Sequence, residues 1–113
     1  MNFVNLTPHA IVLNDGTRFE PSGAVARVTK DFVPGRTING VATWREVIVG
    51  MENVPASLDD GNIYIVSGMV LEALRGFEGD YYTNVVAPST GHPSTIRNEA
   101  GHIVSVAGFV GRI

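Results

Sequence analysis

The densest chemistry in the chain lies in one segment, Pro88-Ser89-Thr90-Gly91-His92-Pro93-Ser94-Thr95-Ile96-Arg97. It combines hydroxyls at Ser89, Thr90, Ser94 and Thr95, a glycine that lets backbone come close, and a guanidinium at Arg97. Hydroxyls, backbone N–H groups and a guanidinium together are what a phosphate group needs from a protein. The spacing matches no P-loop, which requires G-x-x-x-x-G-K-[ST]. The plainer reading is a two-proline surface loop with Arg97 in solvent, because loops collect variability as readily as function. On the functional reading Arg97, Ser89, Thr90, His92, Ser94 and Thr95 contact phosphate or ribose. Arg27, Arg36 or Arg45 would reach across from another strand, and Trp44 or Tyr82 would stack on a base.

Other constellations are thinner. Val66-Ser67-Gly68 reads as a strand running into a helix, where free N–H groups can hold an anion; plain capping by Ser67 explains the same residues. His9, His92 and His102 stand far apart, and no pair has metal-ligand spacing. No G-x-S-x-G elbow occurs. Thr90 or Ser94 beside His92 could be drawn as a dyad, but such sites are defined by geometry and not by proximity in sequence. Asp59-Asp60-Gly61 could supply an acid–base pair, and it is also ordinary turn chemistry. The sequence therefore assigns no catalytic residue, no metal and no cofactor.

Composition narrows the field. The chain has 113 residues, of which 44% are hydrophobic and 17% charged, against roughly 25% charged in an average globular domain. A small, surface-rich domain with so little charge suggests apolar surface covered by another copy or a partner. Net charge is −3 and the pI about 5.5, with no basic run, which argues against general nucleic-acid binding. All basic residues except Lys30 are arginine, the residue suited to planar recognition of carboxylates and phosphates. The absence of cysteine excludes disulfides, thiolate metal sites and cysteine nucleophiles. No stretch approaches the ~18 apolar residues of a spanning helix, and the first residues resemble no signal peptide. The expectation is a cytoplasmic protein, in the host cell if viral, with no membrane partner.

The elements that would carry these residues are mostly strands. Turn signals recur every ~8–12 residues, the rhythm of a β-rich domain. Strands are expected at Phe3–Leu6, Ala10–Leu13, Arg18–Glu20, Ala24–Thr29, Val41–Met51, Ile63–Val66, Tyr81–Ala87 and His102–Val110. Asn14-Asp15-Gly16-Thr17 and, most strongly, Asn39-Gly40 mark hairpin turns. Lys30 to Gly35 reads as a loop around Pro34-Gly35. One short helix is expected near 67–75, capped by Ser67, with Met69, Val70, Ala73 and Leu74 on its apolar face and Gly76 at its stop. The expected fold is a single α+β, β-rich domain over 1–113: one twisted, mostly antiparallel sheet, partly barrel-like, with that one helix.

Both ends of the chain resemble a family. Asn5-Leu6-Thr7-Pro8-His9-Ala10-Ile11-Val12-Leu13 looks like the opening of small uncharacterised phage and prophage proteins, also present in some bacterial genomes. Asn62-Ile63-Tyr64-Ile65-Val66-Ser67, Val86-Ala87-Pro88-Ser89-Thr90-Gly91, Ile96 to Val104 and Gly108-Phe109-Val110 resemble them too. The likeness covers about half the chain and brings no family chemistry with it. A phage origin implies, by analogy only, an accessory factor acting against host defences. The expectation is a non-enzymatic homo-oligomer that sequesters a nucleotide-type signalling molecule. Two alternatives stand beside it: a virion or host-protein-interacting structural protein, and a small nucleotide phosphodiesterase using His9 or His92 with an aspartate.

Overall fold

A computed structural model describes residues 2–54, 61–74 and 84–111. Its centre is the segment Asn62–Ile65 (β6), which buries Ile63 and Ile65 on one face of the sheet and half-buries Asn62 and Tyr64 on the other. It lies between Asn2–Asn5 (β1) and Val85–Pro88 (β7), both parallel to it, and Phe109–Gly111 (β10) adds antiparallel to β7. The order is β1-β6-β7-β10.

The helix Gly68–Leu74 (α1) connects β6 to β7 and packs over one face of this sheet. Its Val70, Leu71 and Leu74 meet Leu6, Ala26, Val66, Val85 and Ala87 in the main core. The opposite face buries Ile63, Ile65 and Val86 under Ile11, Phe19 and Phe109. There Phe3, Phe19 and Phe109 form a three-ring cluster, with centroids 5.2–5.6 Å apart, a spacing that favours offset and edge-to-face contact.

Three two-stranded ribbons surround the sheet. Ile11–Val12 (β2) pairs with Arg18–Phe19 (β3) around the predicted Asp-Gly turn. Gly16 there has φ +92°, and the Thr17 N–H donates to the Asp15 carboxylate at 2.8 Å. That bond, with the Thr17 hydroxyl, holds the Asp15 carboxyl below its ordinary value. Ile96–Arg97 (β8) pairs with Ile103–Ser105 (β9). Arg27–Pro34 (β4) and Trp44–Glu52 (β5) form a long antiparallel hairpin. Its base lies beside α1, and Val28 packs on the main core.

Several expectations need correction. The main sheet is mixed, with three of its four strands parallel, and the described strands fall into four separate sheets that do not close into a barrel. Single-strand periodicity says nothing about direction, and β1 meets β6 across more than fifty residues of chain. Lys30 to Pro34 is strand, not loop: Pro34 sits at the strand end, where its missing N–H costs little. His102 to Val110 is two strands, broken at Ala107-Gly108 so that β9 and β10 join different sheets. On α1, Leu71 is buried and Met69 is 69% exposed, a rotation of the expected face. Tyr81, Tyr82, Gly76 and Asp59-Asp60 lie outside the described residues.

Candidate functional site

Because β1, β6 and β7 run parallel, their carboxyl ends gather three chain segments at one edge: Leu6 to His9, Val66 to Gly68, and Ser89 to His92. The carboxyl edge of parallel strands is where open α/β sheets place their ligands. Two open cavities flank the first turn of α1 here. One, of about 550 Å³, lies between Gly68, Leu71 and Glu72 on the helix and Pro88 to His92 on the loop. The other, of about 530 Å³, lies between Leu6–Pro8, the residues Val25–Lys30 at and before the start of β4, and Ser67, Met69 and Val70. Both volumes fall within the roughly 300–1,000 Å³ of small-molecule sites.

The loop's polar groups are largely engaged in holding its own shape. Ser89 is buried; its hydroxyl donates to the Gly108 carbonyl at 2.9 Å and accepts the Gly108 N–H at 3.2 Å. The Thr95 hydroxyl lies 3.2 Å from the carbonyls of Ser89 and Thr90. The Ser94 carbonyl accepts from Asn14, whose own carbonyl oxygen accepts from Ser105. Arg97 sits in β8 and donates to the Gly101 carbonyl at 3.0 Å, across the Asn98–Gly101 turn.

His92 is exposed, and its Nδ1 accepts the Ser94 N–H at 3.0 Å. A neutral imidazole that accepts at Nδ1 carries its proton on Nε2. In that tautomer its Nε2–H is a donor suited to a phosphate oxygen.

Ser89, Thr90 and His92 thus border one cavity, while Ser94, Thr95 and Arg97 line neither of the two. Trp44 stands far along the β4–β5 hairpin, 60% exposed. Glu72 lies on the wall opposite the loop, and among the described residues no Lys or Arg lines that cavity. The neighbouring cavity has what the first lacks. Arg27 and Lys30 project from β4, Thr29 and Ser67 add hydroxyls, and Leu6, Val28, Met69 and Val70 make an apolar wall. Lys30 is paired with Glu46 at 3.3 Å; among the described residues Arg27 has no ion-pair partner.

Ser67 caps α1, its hydroxyl 3.3 Å from the Val70 N–H. Sequence reasoning had offered Arg27 as one of three arginines but passed over Thr7 and Lys30. Only the parallel pairing of β1 with β6, and the base of β4 beside α1, bring them to one place.

The opening motif has a structural role of its own. Asn5 is buried and fully bonded: its amide donates to the carbonyls of His9 (2.9 Å) and Phe19 (3.0 Å). Its carbonyl oxygen accepts the Thr7 N–H (2.9 Å) and hydroxyl (2.6 Å). Asn-x-Thr-Pro-His is a knot that turns the chain out of β1, and the His9 ring is left exposed. Among the described residues no three His, Asp or Glu side chains gather as a metal site, and no helix is long and apolar enough to cross a membrane. Comparison with protein-family models, curated proteins and solved structures finds no match.

Proposed function

We propose that this protein is a non-enzymatic binder of a small phosphorylated molecule of nucleotide type, acting as a homo-oligomer. In role it would be a phage or prophage accessory protein that sequesters a nucleotide signal used in host defence. The observation that carries the binding reading is the cavity of about 530 Å³ in which Arg27, Lys30 and the Thr29 and Ser67 hydroxyls rim an apolar wall. An apolar wall suits a base, and guanidinium, ammonium and hydroxyl donors suit a phosphate. The donor face of His92 in the neighbouring cavity agrees with binding. The role in defence rests on the resemblance of the chain's two ends to phage proteins.

The test is capture and release. Purified protein is incubated with a panel of nucleotides and cyclic nucleotides, freed of unbound material and denatured, and the released compound is identified by mass spectrometry. Intact ligand in near-stoichiometric amount is expected. Arg27→Ala should lower affinity at least about tenfold, since a hydrogen bond to a charged group contributes ~1.5–3 kcal/mol. A converted product would replace this reading with the phosphodiesterase. A panel that is neither retained nor altered would replace it with the second reading, a virion or host-protein-binding role. That reading is favoured by the large apolar exposure along the β4–β5 hairpin.

A further inference from the structure

The β4–β5 hairpin continues past its paired strands. Gly35 N–H donates to the Thr43 carbonyl at 2.8 Å, and Ile38 and Val41 exchange backbone bonds at 2.9 and 2.8 Å around Asn39-Gly40. The result is one arm from Arg27 to Glu52. The molecule measures 52 × 40 × 24 Å with a radius of gyration of 16.4 Å, against about 13 Å for a compact chain of this length.

The register places Val28, Lys30, Phe32 and Pro34 on the same face as Met51, Ile48, Glu46 and Trp44. Near the base Val28 packs on the core and Ile48 lies by Ala73 of α1. Farther out the same face carries Phe32, 62% exposed, and Trp44, 60% exposed, and nothing described in the chain covers them. Val41 at the tip is 64% exposed.

We infer that the distal Phe32–Trp44 face of this arm packs against the same face of a second copy of the chain. Three observations favour a second copy over another partner. A free two-stranded ribbon is marginal in water and stabilises when a further layer covers it, so an arm this long needs cover wherever the protein exists. The face carries one cation and one anion, Lys30 and Glu46, already paired with each other, so it meets its own copy without net repulsion. Its exposed side chains are led by Phe32 and Trp44, 62% and 60% exposed, aromatic types enriched at the centres of protein interfaces. This inference shares the homo-oligomeric part of the proposed function and is independent of its ligand.

Trp44 is the only tryptophan in the chain, so its fluorescence reports on this face without a label. The full-length protein should show a multimeric mass by size exclusion with light scattering. Its emission should be blue-shifted at high concentration and move to the red on dilution. Phe32→Ser with Trp44→Ser should give a monomer with an unchanged far-ultraviolet dichroism spectrum, while Val104→Ser, exposed outside the arm, should keep the multimer. Because the chain lacks cysteine, Glu46→Cys provides a second measurement. A short bis-maleimide should link its copies, and should not link copies of Glu99→Cys.

A monomeric wild type with water-exposed Trp44 at every concentration would overturn the arm interface. So would a double-serine variant that keeps its multimeric mass, or equal cross-linking at positions 46 and 99. Nucleotide capture by a monomer would sink the arm while leaving the binding site standing. A multimer that captures nothing would do the reverse.

Discussion

At the scale of single residues, polar side chains in this protein divide into those that build the chain path and those left for a partner. Asn5, Asn14, Ser89, Thr95 and Ser105 belong to the first group, each bonded to backbone or to another side chain within the fold. Asn5 is the most committed of them. Replacing it by Ala removes the donor to the Phe19 carbonyl and the acceptor of the buried Thr7 N–H at once. Buried groups left unpaired cost ~1–3 kcal/mol each, so Asn5→Ala should lose roughly 2–4 kcal/mol, read as a lowered urea midpoint with an unchanged slope. Ser94→Ala, whose hydroxyl makes no bond described in the fold, should stay within about 0.5 kcal/mol of wild type. The Pro88–Arg97 segment was legible as chemically rich, but its Ser89 and Thr95 hydroxyls and Arg97 are already engaged by neighbouring carbonyls. Residue types announce donors; only the fold says whether those donors are already engaged.

At the scale of elements, local signals carried well where one turn or one cap decides the outcome. Asn39-Gly40 adopts φ +51° and +80°, the pair of positive angles that a two-residue type I′ turn needs. Ser67 caps the helix expected after it. Gly40→Ala puts a Cβ on a left-handed residue and should destabilise the arm by about 1 kcal/mol. That loss should appear as faster amide exchange at Ile38 and Val41 with β6 unaffected.

Non-local pairing was not legible. β1 and β6 join in parallel because both feed the same edge of the core, and no period-2 pattern encodes that choice. The cavity beside Arg27 follows from that pairing, so it too was hidden. Arg27 and the Ser67 helix start could be named from the sequence, but their neighbours Thr7 and Lys30 could not.

At the scale of the whole molecule, a small core and a long apolar arm belong together. The main core is a thin layer between one sheet and a seven-residue helix, and small domains bury too little surface to be very stable alone. The low charge content pointed toward a covered surface, and among the described residues seven of the thirteen exposed large apolar side chains lie on the arm. The cavity proposed for binding sits at the base of the same strand, β4, whose outer half carries Phe32. Assembly through the arm and ligand capture at its base would therefore reinforce each other, each ordering β4 for the other. Native mass spectrometry of the wild-type protein, incubated with the nucleotide panel and sprayed intact, reads subunit number and bound mass together. The account predicts a multimer carrying intact nucleotide; a bare monomer, with the panel untouched in solution, would contradict it.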